Sequence, residues 1–207
     1  MNNLTVCILT QNDDNLIGDT LESCKILSCP VVVGDLQSED GTMEVCKKHG
    51  CKTAIIQFKG DYSEAKNALS SQITEGWILF LEPGEVISQD NFSTEFLNYS
   101  PSSYAINVLQ SGIITKDLRI WHSSKKLKFI YPAYESISDD PENYTDSILF
   151  VNGSPNRQHE KVLKKWMSDK PTLPEPYYYK AFQELQKGRY DNFISTAKHY
   201  LFLKNKG

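Results

Sequence analysis

The chain has 207 residues, 40% hydrophobic and 23% charged, which suits one buried α/β core with at most a small appendage. Its net charge of -4 argues against a nucleic-acid binder, which presents a basic face. No apolar run approaches the roughly 20 residues that span a bilayer, and Met1-Asn2-Asn3-Leu4-Thr5 lacks the basic start and apolar core of a signal peptide, so a cytoplasmic protein without a transmembrane segment is expected.

In chain order, Leu4 to Thr10 is a continuous apolar run and predicts a strand. Asp13 to Lys25 spaces Leu16, Ile17, Thr20, Leu21 and Cys24 as a helix does. Pro30 to Asp35 predicts a second buried strand, Asp40 to His49 a helix with Asp40 as its N-cap, and Lys52 to Ile56 a third strand. Asp61-Tyr62-Ser63-Glu64 has capping-box spacing and opens a helix that runs to about Ile73. Trp77 to Leu81 is a fourth strand, apolar throughout. Strands alternating with helices, and strands without polar alternation, imply a mainly parallel sheet covered on both faces. No G-x-G-x-x-G follows the first strand and no Walker A sequence occurs, which argues against dinucleotide and P-loop sites.

After Pro83-Gly84 the pattern changes. Ser103 to Leu109, Asp117 to Trp121, Lys126 to Tyr131 and Ser147 to Val151 predict shorter strands in a mixed or antiparallel region. Arg157 to Ser168, Pro176 to Lys187 and Tyr190 to Leu203 predict helices, the last two separated at Gly188. Two domains are expected, 1–151 and a helical extension over 152–207 that ends in a single hairpin. The five cysteines, Cys7, Cys24, Cys29, Cys46 and Cys51, are odd in number and form no C-x-x-C pair, so they read as buried reduced thiols and not as a zinc site.

The stretch Val31-Val32-Val33-Gly34-Asp35-Leu36-Gln37-Ser38-Glu39-Asp40-Gly41-Thr42 puts Asp35 at the carboxyl end of a buried strand, where open α/β sheets bind ligands. It resembles the D-x-x-S-x-D-G-T signature of bacterial family 2 glycosyltransferases. Thr5 to Asp13 is similar to the opening strand and turn of that family, Asp61 to Ala68 to its F-x-x-A-R-N-x-A segment, and Trp77 to Glu85 to its W-I-L-F-L-D-A-D-E. Leu118 to Trp121, Tyr131 to Glu135 and Phe150 to Gly153 occupy the positions of its later elements. The motifs run in order over about three-quarters of the chain. The resemblance implies a GT-A fold, a mainly parallel mixed sheet flanked by helices, here with a C-terminal α-helical extension. Tyr179, Ala181, Gly188, Tyr190, Ala197 and Tyr200 in that extension resemble one tetratricopeptide-type hairpin.

The same resemblance implies transfer of a sugar, with inversion, from a nucleoside diphosphate sugar to a glycan or other hydroxyl acceptor, a UDP-sugar being the first expectation for the donor. Asp35 would contact the base or ribose. Thr10, Asn12 and Asp40 would line the same cleft, and Lys66 would stand in for the family's arginine. Glu82 and Glu85 would lie beside the sugar phosphates, and Glu135 would be the base. Arg119 and His122 are further candidates to neutralise the leaving group.

The sequence departs from the family at three polar positions. Gly84 replaces the second aspartate of the metal-binding D-x-D, Asn152 the histidine of H-x-G, and Tyr134 the histidine of H-E. Mn²⁺ or Mg²⁺ would need several oxygen ligands, so the metal ligands stay unassigned and an altered or metal-independent site is expected. The alternative is a catalytically degenerate protein of this fold that binds a nucleotide or a partner. A lone helical hairpin cannot cover both its faces, which points to packing on the catalytic domain or to a homodimer.

Overall fold

The computed structural model describes residues 3–155 and 157–206. The elements are β1 (Leu4–Thr10), α1 (Ile17–Cys24), β2 (Val31–Asp35), α2 (Thr42–Lys48), β3 (Lys52–Ile55), α3 (Tyr62–Ser70), β4 (Trp77–Leu81) and β5 (Glu85–Ile87). They are followed by β6 (Ser103–Gln110), β7 (Ile113–His122), β8 (Phe129–Ile130), β9 (Ser136–Ile137), β10 (Asn143–Val151), α4 (His159–Asp169), α5 (Glu175–Gln186) and α6 (Tyr190–Lys204).

Eight strands form one sheet in the order β3-β2-β1-β4-β7-β6-β10-β5. β3, β2, β1 and β4 are mutually parallel, and β7 then joins β4 antiparallel. β1 and β4 are buried along their whole length, as uninterrupted apolar runs in a sheet covered on both sides require. Val6, Ile8, Leu79 and Leu81 share a core with Ile17, Leu21 and Cys24 of α1. On the strand interior Gly34 lets α3 pack closely, because a Cβ there would lie 3.0 Å from the Leu69 side chain of α3 and 3.1 Å from that of Ile56, and both would have to shift. The five cysteines are free, and burial pushes the Cys7 and Cys24 thiols up to about 12, which keeps them protonated.

The strand order reverses at β1 and β4, so the carboxyl ends of β1, β2 and β4 converge on a topological switch point. Thr10, Asp35 and Glu82 stand at those ends.

Two compact units divide the chain. The first comprises Met1–Lys59, Ser63–Ile130 and Ser136–Arg157, and holds the sheet. The second comprises Gly60–Tyr62, Tyr131–Glu135 and Gln158–Gly207. Its interior is aromatic. Tyr134 stacks on Tyr179 at 5.1 Å, Tyr131 stacks on Trp166 at 5.4 Å, and the Tyr62 hydroxyl accepts the Gln158 N–H at 2.7 Å. α5 and α6 are joined through Gly188, which takes a left-handed conformation at φ 68°.

Candidate active site

Two polar networks lie at the strand ends of the first unit. The first joins β1 to β2. Asp35 is buried and accepts the Ser38 N–H at 3.1 Å and the Ser38 hydroxyl at 2.6 Å. Ser38 Oγ in turn accepts the Asn12 N–H at 2.9 Å, and Asn12 Oδ1 accepts the Glu39 N–H at 2.7 Å. Asn12 adopts φ 56°, a left-handed turn conformation that asparagine tolerates.

Asp13 anchors the other side of the network. It is fully buried and accepts the Thr10 hydroxyl at 2.8 Å and the Gln11 N–H at 2.9 Å, while its own N–H donates to Thr42 Oγ1 at 2.9 Å. Asp40 is not the N-cap of α2; Gly41 holds that position. The Asp40 carboxylate instead accepts from the Thr42 N–H at 3.0 Å, the Thr42 hydroxyl at 2.5 Å and the Asp14 N–H at 3.2 Å. Partial burial acts to raise the Asp40 carboxyl, but these bonds outweigh it and hold it below its ordinary value. Thr10, Asn12, Asp35 and Asp40 are thus brought into one hydrogen-bonded rim.

The second network surrounds Glu82. Glu82-Pro83-Gly84-Glu85 has the pattern of a type II turn, with proline second and glycine third at φ 90°. The Glu85 N–H donates to Glu82 O at 3.0 Å, and the Glu82 N–H donates to Glu85 Oε2 at 2.8 Å. Lys66 Nζ lies 2.5 Å from Glu82 Oε1, and Arg157 Nη2 lies 2.8 Å from Glu82 Oε2. The same Arg157 nitrogen donates to the Leu9 carbonyl of β1 at 2.7 Å. Lys66 also lies over the Phe129 ring at 5.0 Å. Arg119 on β7 donates to Glu85 Oε1 at 2.8 Å and lies 3.5 Å from Asp117.

Lys66, Arg119 and Arg157 thus share the carboxylates of Glu82, Glu85 and, at the margin, Asp117. Burial pushes the Glu85 carboxyl up; Arg119 acts in the opposite direction, and neighbouring Glu82 adds to the rise. A carboxyl with a raised folded pKa contributes stability that is full below the unfolded value, near 4.5, and is lost as pH rises through the folded value. Glu85→Gln therefore flattens the dependence of Tm on pH above 4.5. Melting curves of both proteins across that interval check this, and parallel slopes contradict it.

The donor set does not fit a divalent cation. Both Glu82 oxygens are engaged by cations, the Glu85 oxygens by Arg119 and a backbone N–H, and Gly84 offers no side chain. Among the described residues no group of three His, Cys, Asp or Glu is arranged to hold a metal.

Arg157 and Asp13 join the candidate residues; the sequence reading assigned neither to the site. His122 leaves them, because it pairs with Trp77 at the start of β4, a strand length from Glu82. Its ring packs edge-on against Trp77 and its Nδ1 accepts the Ser124 N–H, which closes the next turn. Glu135 belongs to the second unit, where its nearly buried carboxylate lies 3.5 Å from His159 Nε2. The His159 ring packs against Tyr134 at 4.7 Å and edge-on to Tyr62 at 5.2 Å.

No protein-family model matches the chain. It is similar to an uncharacterized glycosyltransferase of Rickettsia typhi, 28% identical over 90 residues, which are 44% of this chain and 30% of that protein. It is also similar to the SPbeta prophage-derived glycosyltransferase SunS of Bacillus subtilis, 24% identical over 159 residues, 71% of this chain and 36% of that protein. The chain spans about a third of the length of these curated relatives. Among solved structures, glucosyl-3-phosphoglycerate synthase of Mycobacterium tuberculosis, in complex with Mn²⁺, UDP and glucosyl-3-phosphoglycerate, matches with a TM-score of 0.57 at 12% identity. That match covers 81% of this chain and 79% of the other. The mixed α/β sheet flanked by helices is therefore of the GT-A type, as expected from the sequence.

Proposed function

We propose that this protein is a glycosyltransferase that moves a sugar from a nucleoside diphosphate sugar to an acceptor hydroxyl, with inversion and without a divalent metal at Glu82. The observation that carries the reading is the pair of networks at the switch point of a GT-A-type sheet. One is a hydrogen-bonded rim around Asp35. The other is a largely buried ion cluster that brings Lys66, Arg119 and Arg157 together around Glu82 and Glu85, where a metal-binding motif would otherwise stand.

In this reading the rim of Thr10, Asn12, Asp35 and Asp40 holds the nucleoside, with a UDP-sugar the first choice because the solved glucosyl-3-phosphoglycerate synthase carries UDP. The acceptor oxygen attacks the anomeric carbon as the bond to the diphosphate breaks on the opposite face. Glu135, the base that the family resemblance implies, takes the proton that the acceptor oxygen loses. Charge builds on the departing diphosphate. Fixed cations that need no rearrangement are suited to stabilise it, and Lys66 and Arg119 are the candidates from the cluster. Glu82 then acts as the counter-charge that keeps Lys66 and Arg157 in register.

The second reading is a binding protein of the same fold without turnover. It is favoured by one observation: the carboxylates of the cluster are all engaged within the protein. Glu135→Gln separates the two. The enzyme reading expects release of nucleotide from the donor to fall about 100-fold, the lower end of general-base effects, with donor affinity unchanged. Wild-type protein that binds donor and releases nothing, with any common hydroxyl acceptor, supports the second reading.

A further inference from the structure

The outer face of the α5–α6 hairpin has the wrong residues for a surface that meets water. α5 turns Gln183 and Glu184 inward, 6% and 2% exposed, and leaves Phe182 and Leu185 outside at 47% and 41%. Glu184 is retained there by Lys180 at 2.5 Å and by the Asn192 amide at 3.3 Å. A solvated helix shows the opposite order, polar out and apolar in. α6 repeats the anomaly. None of its residues is buried, yet Tyr190, Phe193, Ile194, Ala197 and Leu201 recur at helical spacing along one stripe. The α5 and α6 stripes meet in an open apolar groove of about 270 Å³, whose lining includes Ala181 and Ala197 and has no charged residue.

We propose that this face pairs with the same face of a second copy of the chain, in an isologous dimer. Three arguments select that occupant. The first is area. Tyr178, Phe182 and Tyr190 are each about half exposed or more, and together present roughly 300 Å². Leu185, Ile194 and Leu201 bring the patch to roughly 550 Å², the upper end of what a monomer leaves open and about two-thirds of the ~800 Å² per partner of a standard interface. The second is shape. The groove offers small residues at its centre and large ones on its flanks, so the face supplies both knob and hole to a copy of itself. The third is charge. Ala197 is the midpoint of α6, so an antiparallel crossing there sets the acidic first turn of one copy, with Asp191, beside the basic last turn of the other, with Lys204. The proposal stands independently of the glycosyl-transfer reading.

Light scattering on the eluting 207-residue protein at about 50 µM, above the ~1 µM range of modest interfaces, tests it. The expected mass is twice 23.6 kDa. Leu201→Lys and Phe182→Glu each place a charge on the face, and each should weaken the dimer at least ~100-fold, giving a monomer with unchanged far-UV circular dichroism. A monomeric wild type overturns the proposal, including one whose face binds detergent or lipid vesicles instead. So does a dimer that survives both substitutions. If the variants do not fold, amide exchange on the wild type decides. Protection of α6 that rises as the protein is concentrated supports the dimer, and protection that stays constant contradicts it.

Discussion

Glu82→Gln is expected to destabilise the protein by about 3–5 kcal/mol, the usual effect of removing one partner from a buried ion pair. The cost arises from what is left behind. The Lys66 and Arg157 side chains are only 5% and 3% exposed, and both lean on this carboxylate. Glutamine keeps the shape and one acceptor oxygen, but two buried cations then face each other without their shared counter-charge. Arg157 retains the Leu9 carbonyl, which satisfies a donor without offsetting the charge. For a chain of this size the loss corresponds to roughly 10 °C in Tm. The exposed pair Lys25–Glu22 is the internal comparison. It is about as short, 2.6 Å, but about 60% exposed on each side, and Glu22→Gln is expected to leave the unfolding midpoint nearly unchanged. Urea unfolding of both variants measures the contrast. Equal, small losses would contradict a structural role for the cluster.

The second large effect concerns Gly84. Gly84→Asp restores the aspartate of a D-x-D at the matching position, and on motif grounds should create a metal ligand. The backbone forbids it. Gly84 has φ 90°, and a Cβ there would lie 2.4 Å from the Gly153 carbonyl oxygen. Its own N–H donates to Thr20 Oγ1 and its carbonyl accepts the Asn152 N–H, so the turn is tied on both sides and has no easy direction to yield. A left-handed non-glycine residue costs about 1–3 kcal/mol and forced overpacking about the same again. The variant should therefore lose about 2–6 kcal/mol and gain nothing from Mn²⁺. Thermal melts with and without Mn²⁺ check both halves. A variant of wild-type stability that Mn²⁺ stabilises would show that the turn rearranges freely.

Both effects follow from features that sequence patterns carry unevenly. Trp77–Leu81 is saturated with apolar residues, and the expected strand matches β4 at both ends. The helix expected over Asp13 to Lys25 instead spans Ile17–Cys24, because Asp13 uses its side chain and N–H to bind Thr10 and Thr42 before the helix begins. β7 starts at Ile113, earlier than the expected Asp117, since its exposed first half has no apolar alternation. Ser111 and Gly112, at φ 49° and 81°, form the tight hairpin that extends it. β10 likewise begins at Asn143, where alternating exposure hides it from an apolar scan. In the site, Asp35 and Lys66 lie in local motifs on β2 and α3, and Glu82 directly follows β4, so all three were legible as candidates. Arg157 was not. It reaches Glu82 across 75 positions of sequence, and nothing near it in the chain signals that contact. Gly84 was visible as a missing ligand, but only the coordinates show that a turn with a tightly packed carbonyl has taken the place of the lost side chain.

The central claim is a nucleotide site that works without a metal at Glu82. Its most direct measurement is thermal stability against UDP, GDP, CMP and dTDP and their common sugars, each in EDTA and in Mn²⁺. A ligand at about 100 times its Kd adds about 2.7 kcal/mol. The account predicts that one nucleotide class, uridine first, raises Tm by the same amount in both conditions, and that Asp35→Ala removes the shift. No shift with any nucleotide, or a shift that appears only with Mn²⁺, would contradict it.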